Sequence, residues 1–172
     1  EINDAPLLSW EQECELAKEI IEYDDQQARD RLVRSNLRLV VNIAKRFATG
    51  KMALADLIEE GNLGLIRAVD SFDPSVGVPF STYAAWWIKQ SISRAIIDQG
   101  KMIRIPVYMN EEILKAKKVT EALTHKLKRK PRAGEIAKRL GISVDKVREV
   151  SNWITKMSSL DAPIGEAGEG QV

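Results

Sequence analysis

Apolar residues recur with a helical period along most of the chain, most clearly between residues 80 and 99. In this segment they stand three or four positions apart, at Ala84, Ile88, Ile92 and Ala95. An α-helix places such positions on one side, so the pattern predicts a helix with a buried apolar stripe. We expect Ser81 to be its N-cap, because a serine hydroxyl accepts a hydrogen bond from a backbone N–H of the first turn.

The same period predicts further helices on both sides of this segment. Ser9 and Gln12 form a capping box that begins a helix ending near residue 23. The sequence EIAKRLGISVDKVREV at 135–150 predicts two short helices around a turn at Gly141, a spacing typical of a helix–turn–helix. The second of them has no excess of cations, so a structural role fits as well as DNA reading. Longer helical patterns cover residues 26–47, 54–72 and 108–128.

The polar side of the 80–99 helix combines aromatic, amide and cationic side chains. At about 100° per residue, the side opposite the stripe carries Tyr83, Trp86, Gln90 and Arg94. Exposed rings beside cations suit unstacked nucleobases and phosphates, and an amide could read a base edge. The alternative is that a partner helix covers this face and its aromatic residues are ordinary core residues.

The 54–72 helix has a polar edge and two internal glycines. A glycine inside a helix costs roughly 0.5–1 kcal/mol relative to alanine and is tolerated where another backbone comes close. Gly61 and Gly64 therefore indicate a docking surface, with a solvated acidic face as the alternative. Asn36 interrupts an apolar run in the 26–47 helix, and its spacing leaves a functional role and a tolerated surface amide equally open. The polar edge contains Asp56, Glu59, Glu60 and Asn62, and the residues expected to be buried are Leu57, Ile58, Leu65, Ile66 and Val69.

The charges are unevenly distributed, although the 172 residues carry a net charge of only +1. Residues 1–30 contain ten acids and two bases, whereas residues 101–132 contain ten bases and three acids. An acidic region and a basic region predict two kinds of partner surface.

Candidate catalytic and metal-binding residues are scarce. Cys14 is the only cysteine and His125 the only histidine, which leaves neither a cysteine-based zinc cluster nor a histidine-based triad. We therefore expect no enzymatic activity, no metal and no cofactor. No apolar run approaches the roughly 20 residues that cross a bilayer, so we expect a cytoplasmic protein without membrane contact. The chain begins without methionine and stops in a glycine-rich tail, as expected of a fragment.

Several motifs resemble those of the sigma-70 family of bacterial RNA polymerase sigma factors. In order they cover nearly the whole chain, and they resemble the housekeeping or stationary-phase type more than the small extracytoplasmic type. The motifs are SNLRLVV at 35–41, the run from Asp56 to Phe72, FSTYAAWWIKQ at 80–90, IRIPV at 103–107 and SLDAPIG at 159–165.

The resemblance implies an all-α fold of two helical domains. Residues 1–100 would hold part of region one and region two, a promoter-melting helical bundle. Residues 101–157 would form region three, a small three-helix domain with a helix–turn–helix. Residues 158–172 would begin a flexible linker, and region four would be absent.

The resemblance also implies which residues contact promoter DNA. Tyr83 would stack on a flipped adenine of the minus-ten element, in a pocket lined by Phe80 and Trp86, while Trp86 and Trp87 would wedge against the last intact base pair. The upstream duplex would face Gln90, Ser93 and Arg94, a second flipped base would face Asn36 and Leu39, and the extended promoter element would face Arg104, Tyr108 and Glu111. Thr82 completes the implied DNA-binding set.

The implied protein partner is core RNA polymerase. Its largest subunit would present its clamp helices to Asp56, Leu57, Glu59, Glu60 and Asn62. The implied function is a sigma factor that binds core polymerase, recognises the minus-ten element and promotes DNA melting, and the family also allows an anti-sigma factor as a partner. The alternative is a helical protein–protein interaction module with no direct DNA contact.

The chain departs from the family pattern at several DNA-facing positions. Val76 replaces a frequent basic residue, and Val78 with Pro79 replaces an aromatic–basic pair. Ser93 stands where threonine is usual, and Tyr108 where histidine is common. These departures predict differently tuned single-strand contacts and an altered upstream base preference.

Overall fold

The computed structural model of this chain has the all-α fold that the sequence predicts. It describes residues 6–50, 52–153, 163–164 and 170–171. A 3-10 turn, Pro74–Val76, lies in the loop between the third and fourth helices. The α-helices of the described residues are α1 Trp10–Tyr23, α2 Gln26–Phe47, α3 Leu54–Asp70, α4 Phe80–Gln99, α5 Val107–Leu127, α6 Ala133–Leu140 and α7 Val144–Asn152.

A short antiparallel pairing in the tail is an addition to the predicted helices. Strand β1, Pro163–Ile164, pairs with strand β2, Gly170–Gln171. The other residues of the predicted linker at 158–172, and most of the motif at 159–165, lie outside the described residues. The linker therefore stays a prediction.

The chain divides into two compact units, Glu1–Ile105 and Pro106–Val172. The division lies five residues beyond the domain boundary expected at residue 100. In the second unit, α6 and α7 pack on α5, and Gly141 forms the turn between them with a positive φ of 70°. Its core is small and consists of Met109, Ile113, Ala137, Val147 and Val150.

The first unit is built around α4, which packs on α2 and α3. The stripe predicted for α4 is buried throughout, and Ser91 is buried with it. The helix begins one residue before the expected N-cap, so the prediction for Ser81 is wrong. Pro79 takes that place, and its carbonyl accepts hydrogen bonds from the N–H groups of Thr82 and Tyr83 at 3.0 and 3.3 Å.

The start of α4 is also tied to α1. A carboxylate oxygen of Glu13 accepts a hydrogen bond from the Phe80 N–H at 3.3 Å. Burial raises the pKa of Glu13 above its ordinary value of 4.5, and the hydrogen bond from Phe80 opposes that rise. The capping box of α1 itself is confirmed: Ser9 N–H donates to Gln12 Oε1 at 3.0 Å, and Gln12 N–H donates to Ser9 Oγ at 3.4 Å.

The two glycines of α3 face the inside of the first unit. A Cβ atom on Gly61 would lie 2.6 Å from Val40 Cγ1, and one on Gly64 would lie 2.8 Å from the Trp87 carbonyl oxygen. The close approach inferred from these glycines exists, but the approaching groups belong to α2 and α4. The docking surface expected at Gly61 and Gly64 is therefore wrong, because both residues are buried within the fold.

Candidate nucleic-acid and protein interface

The outer side of α4 carries an exposed aromatic residue beside polar ones. Trp86 is 60% exposed, and Gln90 and Arg94 are exposed on the same side of the helix. Tyr83 and Trp87 are half-buried at the edge of the hydrophobic core. An exposed indole beside an amide and a cation has the composition of a surface that binds nucleobases.

A continuous series of ring contacts connects the core to Trp86. Phe80 meets Phe72 edge to face at a centroid distance of 5.0 Å, and Phe72 lies 5.7 Å from Tyr83. Tyr83 then contacts Trp87 at 6.3 Å, and Trp87 contacts Trp86 at 5.1 Å with the two rings nearly perpendicular. Edge-to-face contacts of this kind are favourable, so the series supports an outward-facing Trp86.

Two polar groups in this series differ in their hydrogen bonding. The Tyr83 hydroxyl donates to the Ser71 carbonyl at 3.0 Å, which fixes the ring against the end of α3. The Trp87 Nε1–H is buried and finds no hydrogen-bond acceptor among the residues that the structure describes. A buried donor without an acceptor costs free energy, so the position of the Trp87 indole carries a penalty.

Phe80 does not fit the role that the resemblance gave it. Its ring has no exposed surface and lies in the core. A side chain in that position cannot line a pocket for a base, so Phe80 is corrected to a supporting residue that packs beneath Tyr83 through Phe72. Thr82 is exposed in the first turn of α4.

Near the end of α4, one carboxylate lies within ion-pair distance of two arginines. Asp98 Oδ1 lies 3.0 Å from Arg104 Nη2, and Asp98 Oδ2 lies 3.9 Å from Arg94 Nε. Asp98 is 20% exposed, whereas both arginines are mostly exposed. The structure thus brings Arg94 and Arg104 together through a residue that the sequence analysis did not single out. Ser93, which precedes Arg94 in α4, is half-buried.

The other predicted DNA residues lie on α2 and α5. Asn36 and Leu39 are half-buried in α2, and the Asn36 amide nitrogen donates to the Leu32 carbonyl at 2.9 Å. In the second unit, Tyr108 and Glu111 are exposed in the first turns of α5, three residues apart and so on one side of that helix.

The polar edge of α3 is accessible, as predicted, although Leu57 is not part of it. Asp56 and Glu59 are exposed, and the Asn62 amide lies 3.5 Å from Glu59 Oε2. Glu60 accepts a hydrogen bond from the Gln99 amide at 3.0 Å. Leu57 has no exposed surface, so its assignment to a polymerase contact is corrected to a core position.

Two apolar residues that the sequence analysis missed replace Leu57 on this surface. Leu63 is 50% exposed and Ile66, which was expected to be buried, is 41% exposed. They follow Glu59 at spacings of four and seven residues and share its side of the helix, which is the signal that could have identified them. We call Asp56, Glu59, Asn62, Leu63 and Ile66 the α3 surface.

Other classes of site find little support in the described part of the chain. It contains no group of three or more His, Cys, Asp or Glu residues that could hold a metal ion. None of its helices combines the length and the apolar composition needed to cross a membrane.

Comparisons with known proteins match most of the chain to one family. The model of Sigma-70 region 2 matches residues 32–102, and that of Sigma-70 region 3 matches residues 111–172. The chain is 49% identical over 172 residues to RNA polymerase sigma factor SigA of Bacillus sp, covering 100% of this chain and 45% of the relative. It is 52% identical over 166 residues to RNA polymerase sigma factor SigA of Clostridium acetobutylicum, covering 96% of this chain and 44% of the relative.

The all-α fold and the two family-model matches together define the class to which this chain belongs. The chain belongs to the sigma-70 family and contains its regions two and three. It spans somewhat less than half the length of these curated relatives.

Proposed function

We propose that this chain binds core RNA polymerase, recognises the minus-ten promoter element and promotes DNA melting at the start of transcription. The observation that carries the proposal is the exposed Trp86, held outward by ring contacts and placed beside Gln90 and Arg94. The chain would contribute binding free energy to melting, and the polymerase would carry out all of the chemistry.

The energetics of base capture fit this aromatic face. Taking one base out of the duplex stack costs a few kcal/mol. Stacking a base on an aromatic side chain returns roughly 1–3 kcal/mol. Tyr83 would stack on a flipped base of the non-template strand, Trp86 and Trp87 would pack against the last intact base pair, and Asn36 with Leu39 would hold a second flipped base. Contacts to the two bases, together with phosphate contacts, would offset the cost of flipping them.

The duplex contacts would come from the rest of α4, from Arg104 after it and from two residues of α5. Gln90, Ser93 and Arg94 would face the base pairs just upstream of the melted region. Arg104, Tyr108 and Glu111 would contact an extended promoter element. Thr82, which is exposed in the first turn of α4, would also contact promoter DNA.

The α3 surface, together with Glu60, would dock on the clamp helices of the largest polymerase subunit. Its exposed Leu63 and Ile66 would supply apolar area, while Asp56 and Glu59 would meet cations of the partner. This composition, apolar at the centre with polar groups around it, is usual for protein interfaces. We place this activity in the cytoplasm, and an anti-sigma factor that covers either surface stays a prediction.

The test is open-complex formation by the chain and core polymerase on a promoter with an extended minus-ten element. Permanganate footprinting should detect unpaired thymines with the wild-type chain and lose them with Trp86→Ala and with Tyr83→Ala/Trp86→Ala, while core binding is retained. Trp153→Ala, which removes another exposed indole, is the matched control and should leave the footprint intact. Normal opening by both Trp86 variants would favour a protein-binding module without DNA contact.

A further inference from the structure

We propose that Asp98 makes the outer side of α4 favour single-stranded over duplex DNA, by competing with duplex phosphates for Arg94 and Arg104. The inference rests on the proposed function and deepens it, because it names a residue that sets which form of DNA this surface prefers.

The geometry places one carboxylate between the two cations. Each oxygen of Asp98 faces a different arginine, Arg104 at 3.0 Å and Arg94 at 3.9 Å. Arg94 belongs to the same helix as Asp98, whereas Arg104 lies in the segment after α4. Asp98 is mostly covered, and the guanidinium groups around it extend into solvent. A phosphate that approaches this cation pair therefore meets two positive groups whose charge is partly offset by the carboxylate that they share.

The consequence for duplex DNA follows from charge. Cations bind a duplex by replacing the counterions condensed on its phosphates, and each phosphate neutralised contributes to affinity and to its salt dependence. A carboxylate within ion-pair distance of both arginines lowers the positive potential that a phosphate experiences. Asp98 thus weakens a contact that carries no sequence information of its own.

The aromatic part of the site lies too far away to be affected in the same way. Trp86 precedes Asp98 by 12 residues, which corresponds to roughly 18 Å along an α-helix. Interactions between exposed charges are largely screened beyond about 10 Å at 0.1 M salt. Stacking of bases on Tyr83 and Trp86 depends on ring contact rather than on charge. Asp98 therefore weakens duplex binding and leaves single-strand capture unchanged.

The experiment compares two DNA probes bound to the full chain in complex with core polymerase. One is a fluorescein-labelled single-stranded minus-ten oligonucleotide, and the other is a labelled duplex without that element. Asp98→Asn, which removes the charge and keeps the shape, should tighten duplex binding about three- to tenfold, and its log–log salt slope should steepen by about 0.9 for each phosphate gained. Affinity for the single strand should stay at the wild-type value.

Control variants separate this effect from a general change of charge or stability. Asp24→Asn removes the carboxylate paired with Arg29 at 3.1 Å, in the same unit, and should leave duplex affinity unchanged. Asp98→Glu keeps the negative charge, so its affinity for the duplex should be close to that of the wild type. Asp98→Ala should act in the same direction as Asp98→Asn, with circular dichroism confirming that both variants keep their helical content.

The outcomes distinguish failure of this inference from failure of the proposed function. Wild-type binding to the single strand together with unchanged or weaker duplex binding by Asp98→Asn overturns the inference alone. Equal tightening by Asp24→Asn also overturns it, since any lost acid would then suffice. No single-strand binding by the wild-type complex overturns the proposed function and this inference with it.

Discussion

Gly64 of α3 and Trp87 of α4 lie so close that there is no room for a side chain between them. A Cβ atom on Gly64 would lie 2.8 Å from the Trp87 carbonyl oxygen and 3.0 Å from Ile88 Cα. Both neighbours are backbone atoms, which cannot move without shifting α4 itself. The glycine therefore sets the distance between the helix that carries the α3 surface and the helix that carries the aromatic face.

We expect Gly64→Ala to destabilise the first unit. Overpacking of this kind costs about 1–3 kcal/mol, and the better helix propensity of alanine returns only roughly 0.5–1 kcal/mol. The free energy of unfolding should therefore fall, as measured by urea unfolding followed by tryptophan fluorescence. Gly134→Ala is the control, because nothing lies within 4 Å of a Cβ at that position of α6, and it should be neutral or stabilising. A stabilising effect of Gly64→Ala would contradict the close contact.

The helical period predicted the elements of this fold well, because it depends on residues that are neighbours within one helix. The stripe of α4 and the capping box of α1 are both examples. The exact start of α4 could not be predicted in this way. Phe80 N–H is bound by Glu13, which lies 67 residues earlier in the chain, and no local pattern contains that contact.

The candidate site was predicted in outline from α4 and less well from α3. Trp86, Gln90 and Arg94 lie opposite a single apolar stripe, so their exposure follows from the period alone. In α3, apolar residues occur on two sides, and the buried side is selected by the glycines that contact α2 and α4. That selection buries Leu57, as the pattern predicted, but leaves Ile66 exposed. The pattern placed Ile66 in the core because it does not contain the positions of the neighbouring helices.

The exposed apolar residues of α3 should contribute to polymerase binding. Leu63→Ala and Ile66→Ala should each weaken the complex with core polymerase, by about tenfold if they lie at the centre of the interface, where truncations cost more than 1 kcal/mol. The dissociation constant can be measured by fluorescence anisotropy of the labelled chain. Leu114→Ala, which truncates a similarly exposed leucine on α5, should have no effect.

Leu57→Ala should affect stability rather than polymerase binding. Because Leu57 is fully buried, its truncation should lower the free energy of unfolding by about 2–5 kcal/mol. At temperatures where the variant is folded, its affinity for core polymerase should match the wild type. Weaker binding by a folded, stable Leu57→Ala chain would return Leu57 to the interface.

Glu13 should make the stability of the first unit depend on pH. Burial raises the pKa of Glu13 above 4.5, so folding favours the protonated form, and the stability that this provides at low pH is lost as the pH rises through the raised pKa. Glu13→Gln keeps an acceptor for the Phe80 N–H without the charge. It should be more stable than wild type at neutral pH, and the difference should vanish in acid. Glu19→Gln, at an exposed position, should show no such trend in thermal unfolding.

Glu135 should give a pH dependence of opposite sign in the second unit. Its carboxylate accepts two hydrogen bonds from Arg129, at 2.7 and 3.0 Å, and one from the Arg132 N–H at 2.7 Å. The bond from Arg129 is the main cause that lowers the pKa of Glu135 from 4.5 to about 2. This stabilisation is therefore complete above pH 4.5 and is lost as the pH falls towards 2.

The corresponding variant is Glu135→Gln, which keeps the size of the side chain and removes its charge. Thermal unfolding followed by circular dichroism should show a lower midpoint than wild type at pH 7, and the two midpoints should converge between pH 4.5 and about 2. Glu121→Gln, at an exposed position of α5, is the matched control and should follow the wild-type curve. A gap between Glu135→Gln and wild type that persists at the acid end would mean that packing, rather than the ionised carboxylate, connects α6 to the segment before it.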